Sequence, residues 1–157
     1  MSDTQVPVLD HTVQQTNVWL KKLAADHHLG DRHHALSALR AVLHALRDRL
    51  TPEQAVHLGA QLPMLVRGLY YEGWHMAGKP TADRSVEDFV ARVADGLPPQ
   101  YPRDALAVTK AVLDLLWQEL DPGETAKVIG TLPVPLRGLW PNRTMVPCAW
   151  RVSSACW

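Results

Sequence analysis

Apolar residues recur along most of this chain at steps of three and four, the spacing of one helix face, and no stretch alternates with period two over a strand's length. The clearest run is Leu36, Leu39, Leu43, Leu46 and Leu50, a strong stripe on a second helix. A first helix, Thr12 to His28, carries Val13, Trp19, Leu20 and Leu23 on one broad side with Lys21 and Lys22 elsewhere. Thr51-Pro52-Glu53-Gln54 then stops the second helix and starts a third. It supplies a capping threonine, a proline suited to a first turn, and Gln54 at the capping-box position. Leu62-Pro63 restarts the chain, because a residue before proline is biased away from helical geometry. A short fourth helix follows with Leu65, Val66, Leu69 and Tyr70.

The pattern then repeats. Shifted by 70 residues, 35–69 against 105–139 gives 13 identities in 35 ungapped positions. They include Ala41-Val42-Leu43 with Ala111-Val112-Leu113, Pro52 with Pro122, Leu62-Pro63 with Leu132-Pro133, and Arg67-Gly68-Leu69 with Arg137-Gly138-Leu139. Asp121-Pro122-Gly123-Glu124 repeats the capping chemistry. Upstream, Trp19, Leu23 and Ala24 pair with Phe89, Val93 and Ala94. A tandem duplication accounts for this. The predicted fold is an all-α bundle of about eight helices, built from two tandem four-helix repeats with pseudo-twofold symmetry. Its expected parts are an N-terminal tail (1–11), a first repeat (12–75), a mobile linker (76–84), a second repeat (85–141) and a C-terminal tail (142–157).

The segment from Ala41 to Glu53, leading into Gln61-Leu62-Pro63-Met64-Leu65-Val66-Arg67-Gly68-Leu69-Tyr70-Tyr71-Glu72-Gly73-Trp74, closely resembles the domain of unknown function 2267 family, small bacterial proteins of duplicated helical build. Leucine stripe, Leu-Pro and Arg-Gly-Leu-Tyr occur together and in order, and the likeness covers about residues 10 to 141. The resemblance implies a helical fold and no known activity. It assigns no catalytic residue, and residues 142–157 have no counterpart in it.

Composition narrows the classes. Hydrophobic residues make up 46% and charged residues 20%, which excludes bulk disorder. Sixteen basic against sixteen acidic side chains give a formal net charge of zero, which argues against a broad basic surface for nucleic acid. The start, Met1-Ser2-Asp3-Thr4-Gln5, lacks the basic and apolar runs of a secretory signal. No window approaches the roughly 18 to 20 apolar residues of a membrane span. A cytoplasmic location is expected. Cys148 and Cys156 sit together near the end, which is no disulfide framework.

Three groups of residues carry candidate chemistry. His27-His28 and His33-His34 flank one turn, with Asp26 and Asp31 beside them. Imidazoles there could hold Zn²⁺ or Ni²⁺. Adjacent helical residues point about 100° apart, however, so one from each pair at most shares a metal easily. The favoured reading is an exposed polar turn, with no cofactor. His44 and His57 read as exposed. Arg67 and Arg137, each followed by glycine, read either as a duplicated anion or partner site or as cations near helix C-termini that bond terminal carbonyls. In the structural reading Gly68 and Gly138 let another backbone approach. Tyr71 and Trp74 beside the linker are candidates for a contact surface, together with Arg67 and Arg137, whereas Tyr70, twinned with Trp140, belongs in the core.

There is no phosphate loop, nucleophile elbow, His-Glu-x-x-His or zinc-finger cysteine pair. The expectation is a non-enzymatic helical module that binds a protein partner or a second copy of itself, without nucleic acid or membrane. The alternative is a small-ligand or metal-binding protein using the His27/His28/His33/His34 turn or a pocket between the repeats.

Overall fold

The computed structural model describes residues 4–141. The C-terminal tail anticipated at 142–157, with both cysteines, lies outside the described residues. The described residues form eight helices in order: α1 (Pro7–Asp26), α2 (Arg32–Arg49), α3 (Pro52–Ala60), α4 (Met64–Tyr71), α5 (Val86–Gly96), α6 (Ala105–Glu119), α7 (Pro122–Thr131) and α8 (Val134–Arg137). No strand occurs among the described residues, so the fold is an all-α bundle. None of these helices is long and apolar enough to cross a membrane.

Local chemistry sets the boundaries. Asp31, Thr51, Ser85, Asp104 and Asp121 each accept the backbone N–H three residues on, capping α2, α3, α5, α6 and α7. Each satisfies one donor that a helix start would otherwise leave orphaned. The anticipated caps Thr51 and Asp121 are among them. Helix α1 begins earlier than Thr12. Val6 is extended and Pro7 takes the first turn, where its missing N–H costs nothing. The backbone N–H and hydroxyl of Thr4 both donate to Asp10 Oδ1, at 3.0 and 2.8 Å. Residues 7–11 are therefore helical, and the N-terminal tail is shorter than anticipated.

Helix α2 is the axis of the bundle and packs against α1, α4, α5 and α6. Its leucine stripe does what the spacing predicts at Leu39, Leu43, Leu46 and Leu50, all buried, each contributing roughly 1.5–3 kcal/mol by leaving water. Alanines at 35, 38, 41 and 45 are buried between the leucines and permit close helix approach. A Cβ placed on Gly96 of α5 would lie 3.3 Å from the Ala41 Cβ. One apolar core runs through both halves, from Trp19 and Leu23 to Leu136 and Trp140.

The segment 76–84 is held at several points, in contrast to the mobile linker anticipated. The Thr81 amide donates to the Asp48 carbonyl at 2.9 Å. Arg49 Nε donates to the Asp83 carbonyl at 2.6 Å, and the Asp83 carboxylate is clasped by Arg92 at 2.5 and 3.2 Å. That clasp holds Asp83 below the usual carboxylate range.

Tyr70 is fully buried and donates its hydroxyl to the Ala55 carbonyl at 2.7 Å, joining α4 to α3. The next ring, Tyr71, presses its hydroxyl end onto Gly59, where a Cβ would come within 2.3 Å of the oxygen. Gly59→Ala is therefore expected to lower stability by about 1–3 kcal/mol through overpacking. Gly130→Ala on α7 meets nothing within 4 Å and should raise it by roughly 0.5–1 kcal/mol through helix propensity. Urea unfolding of the two variants checks the opposite signs.

Candidate functional site

Not all of the apolar surface goes into the core. Leu9, Leu36, Met64 and Leu65 remain 41, 37, 49 and 47% exposed, and all four line one groove of about 740 Å³ between α1, α2 and α4. Val13 and Leu20 of α1 and Leu69 of α4 complete its walls. Among the described residues, its sole charged lining residue is Glu72, whose carboxylate is paired with Arg40 at 2.7 Å.

The groove exists because α4 is fixed to its neighbours by bonds to its backbone. At the N-terminal end, the buried Thr12 hydroxyl of α1 accepts the Leu65 amide at 2.9 Å. A neighbouring helix thus caps α4, whose own Pro63 offers no side-chain cap. At the C-terminal end, α2 supplies the donors. His44 Nε2 donates to the Leu69 carbonyl at 2.7 Å, and Arg47 Nη1 donates to the Tyr70 and Glu72 carbonyls, each at 2.8 Å. Arg47 is 4% exposed, and its Nε is paired with Asp48 at 2.9 Å. Burial pushes the His44 imidazole below its ordinary pKa, with the Leu69 carbonyl opposing and the Arg47 and Arg40 charges adding to the fall. His44 is half-buried, not exposed as anticipated, whereas His57 is exposed.

The two duplicated arginines are occupied structurally. Arg67 donates to the carbonyls of Gly59, Ala60 and Leu62, and Arg137 to those of Leu132 and Gly130. Each guanidinium thus satisfies the C-terminal end of the preceding helix. Gly68 serves no close approach, since a Cβ there would meet nothing within 4 Å; it lies on the groove instead. Tyr71 and Trp74 stack on each other, 5.6 Å between centroids, and pack half-buried against the core. The Trp74 indole N–H is buried without an acceptor.

The four histidines of the turn have separate surroundings. His27 pairs with Asp114 of α6 at 3.2 Å. The His28 carbonyl accepts Arg103 Nε at 2.8 Å. His34 pairs with Asp31 at 3.2 Å and meets the Tyr101 ring edge-on, while the Tyr101 hydroxyl donates to its carbonyl at 2.6 Å. His33 is exposed. Among the described residues no three potential ligands converge. The turn joins the two halves of the chain. His27, Lys110, Asp114 and Trp140 do line a second cleft of about 410 Å³ between α1, α6 and the end of α8.

Sequence reasoning missed the groove residues Leu9, Thr12, Met64 and Leu36's exposure, and the two α2 donors His44 and Arg47. One signal was present. Leu9, Val13 and Leu20 form a second apolar line on α1, beside the Trp19 and Leu23 that face the core.

The chain belongs to the family described as uncharacterized conserved protein (DUF2267), which matches residues 16–139. It is also 34% identical, over 119 residues, to the UDP-N-acetylmuramoylalanine–D-glutamate ligases of two strains of Thermus thermophilus. That match covers 73% of this chain and 24% of each ligase, so the chain spans about a quarter of the length of these curated relatives.

Thr12→Val keeps the volume but leaves the Leu65 amide unpaired, and is expected to cost about 1–3 kcal/mol in chemical unfolding. Arg67→Lys, which cannot reproduce the fork onto three carbonyls, is expected to recover little of the loss seen in Arg67→Ala; paired unfolding curves measure the difference.

Proposed function

We propose that this chain is a non-enzymatic, cytoplasmic interaction module that receives an amphipathic helix of a protein partner in the α1–α2–α4 groove. The observation that carries the reading is the gathering of Leu9, Leu36, Met64 and Leu65, all substantially exposed, along one channel. Contiguous exposed apolar surface of this kind marks contact sites. From Leu9 to Leu20 the α1 wall spans about 16 Å, or three helical turns. A partner helix of that length with apolar residues three and four apart would bury both walls at once. The lining is mainly apolar, and its carboxylate, Glu72, is paired with Arg40. A similar segment forming a quarter of two longer ligase chains suits a unit that acts by contact.

A second reading, small-ligand binding, is favoured by the cleft between the halves, where His27–Asp114 and Lys110 supply polar contacts beside Trp140. It predicts sensitivity to Lys110→Ala and indifference to Leu36→Asp.

A photo-crosslinking amino acid placed at position 65 in cells, with the attached peptide identified by mass spectrometry, tests the main reading. Attachment to one helical segment bearing that apolar spacing, abolished by Leu36→Asp, is expected. Attachment to a second copy would make the groove a homo-oligomer contact. Attachment unaffected by Leu36→Asp, or none, would sink the proposal.

A further inference from the structure

Midway along the α4 wall of the groove a side chain is missing. Met64, Gly68 and Glu72 follow one another at steps of four, which sets them in one row along the helix, and all three line the groove. Between the Met64 and Glu72 side chains the row is interrupted at Gly68, beside Leu65 and Leu69 of the next row. A Cβ on Gly68 would meet nothing within 4 Å, so none of the described residues fills the gap. The lining around it adds little bulk, because Val66 and Thr16 are both buried.

The fold itself makes no demand for glycine at this position. Gly68 lies inside α4 with ordinary helical backbone, unlike Gly30, Gly73 and Gly78, whose φ is positive. No neighbouring backbone comes close to it. Glycine is the poorest helix former after proline, and α4 has only eight residues, so Gly68 weakens a short helix with no local compensation. What it provides is space, and that space opens on the groove.

The lining also constrains the backbone of an occupant. All three walls are helices, which bond their own N–H and C=O groups and present no free edge. The Thr12 hydroxyl accepts the Leu65 amide, the Thr16 hydroxyl donates to the Thr12 carbonyl at 2.8 Å, and Glu72 is paired with Arg40. An extended peptide laid along about 16 Å of such a surface leaves its inward main-chain groups without partners, whereas a helix satisfies its own.

Taking the groove as the helix-binding site proposed above, we propose that the Gly68 gap is its specificity pocket, receiving one bulky apolar side chain, leucine or phenylalanine, from the middle of the partner helix. Met64 and Leu65 flank that side chain on one side and Leu69 on the other. A central anchor enclosed in this way carries a large share of the affinity of a helix-in-groove contact.

Stapled helical peptides of about twelve residues, long enough to follow the groove, are the probe. Each carries leucines three and four apart on one face, with the central one kept or replaced by phenylalanine or alanine. By fluorescence anisotropy with the whole chain, the leucine and phenylalanine peptides are expected to bind about tenfold or more tightly than the alanine peptide. Gly68→Leu fills the gap and is expected to erase that preference, and Gly68→Ala to reduce it. Both variants replace glycine with a better helix former in open space, so urea unfolding should find them no less stable than the wild type. A preference that persists in Gly68→Leu, or a wild type that binds the alanine peptide as tightly as the others, overturns the pocket. The groove reading survives that result if Leu36→Asp abolishes binding of every peptide. Binding of no peptide, binding indifferent to Leu36→Asp, or uptake of dodecanoate in place of the peptides overturns the groove reading and the pocket with it.

Discussion

The guanidinium of Arg47 is buried on the central helix and bonds the Asp48 carboxylate and the carbonyls of Tyr70 and Glu72. A cation in that position is tolerated only with its donors bonded, and Arg47 makes three such contacts. They bring the end of α4 onto the middle of the bundle, and from there Tyr70 reaches the Ala55 carbonyl of α3. The placement of α4 against α1, and with it the groove, follows from this anchor. The end of α2 in turn holds the segment between the halves, through Asp48 to Thr81 and Arg49 to Asp83.

A wider constraint explains why so many long-range polar contacts run from a side chain to a backbone atom. Short helices joined by tight turns expose many terminal N–H and C=O groups relative to those bonded internally. Caps drawn from neighbouring residues serve five helix starts, but the ends of α3, α4 and α7 and the start of α4 are served by other elements. Arg67, Arg137, His44, Arg47 and Thr12 perform that work. A bundle stitched in this way fixes the positions of short helices that would be unstable alone, and it can hold an apolar groove open because the walls are tied by polar bonds and need not close on each other.

Helix number, order, caps and core leucines were legible in the sequence because each rests on neighbours within a few residues. Trp19, Leu23, Tyr70 and the stripe from Leu39 to Leu50 are buried as their spacing implies. What was not legible depended on partners far along the chain. Leu36 belongs to the stripe by spacing, yet it is exposed because α1 and α4 stop short of covering it. His44 lies on what the pattern marks as a polar face, and it is half-buried because it sits against Leu69 at the end of α4 and borders the cleft between α2 and α5. Arg47 faces the core where the repeat has Trp117, and a buried arginine is identifiable only once its carbonyl partners are in place. The arginines at 67 and 137 were legible as carbonyl donors; the helices they serve are the preceding ones.

Aligned at a shift of 70 residues, the two halves of the sequence differ where the groove forms. The histidine turn lies in the first half alone, and its contacts with Arg103, Asp114 and Tyr101 join the halves. The larger structural difference is in helix length: α1 has 20 residues and α5 has 11, while α4 has 8 and α8 has 4. The positions matching Leu9, Thr12 and Val13 are Lys79, Ala82 and Asp83, which precede α5 and cannot form a wall. The changes are matched in chemistry as well. Leu65 has an amide that Thr12 satisfies; at the same shift Leu65 aligns with Pro135, which has no N–H, and Thr12 with Ala82, which has no hydroxyl. Gly59 makes room for Tyr71, whereas the second half has Ile129 buried in the core and Pro141 in place of the tyrosine. At the positions aligned by that shift, the second half lacks the side chains that line the groove in the first, so the groove is a feature of the first half.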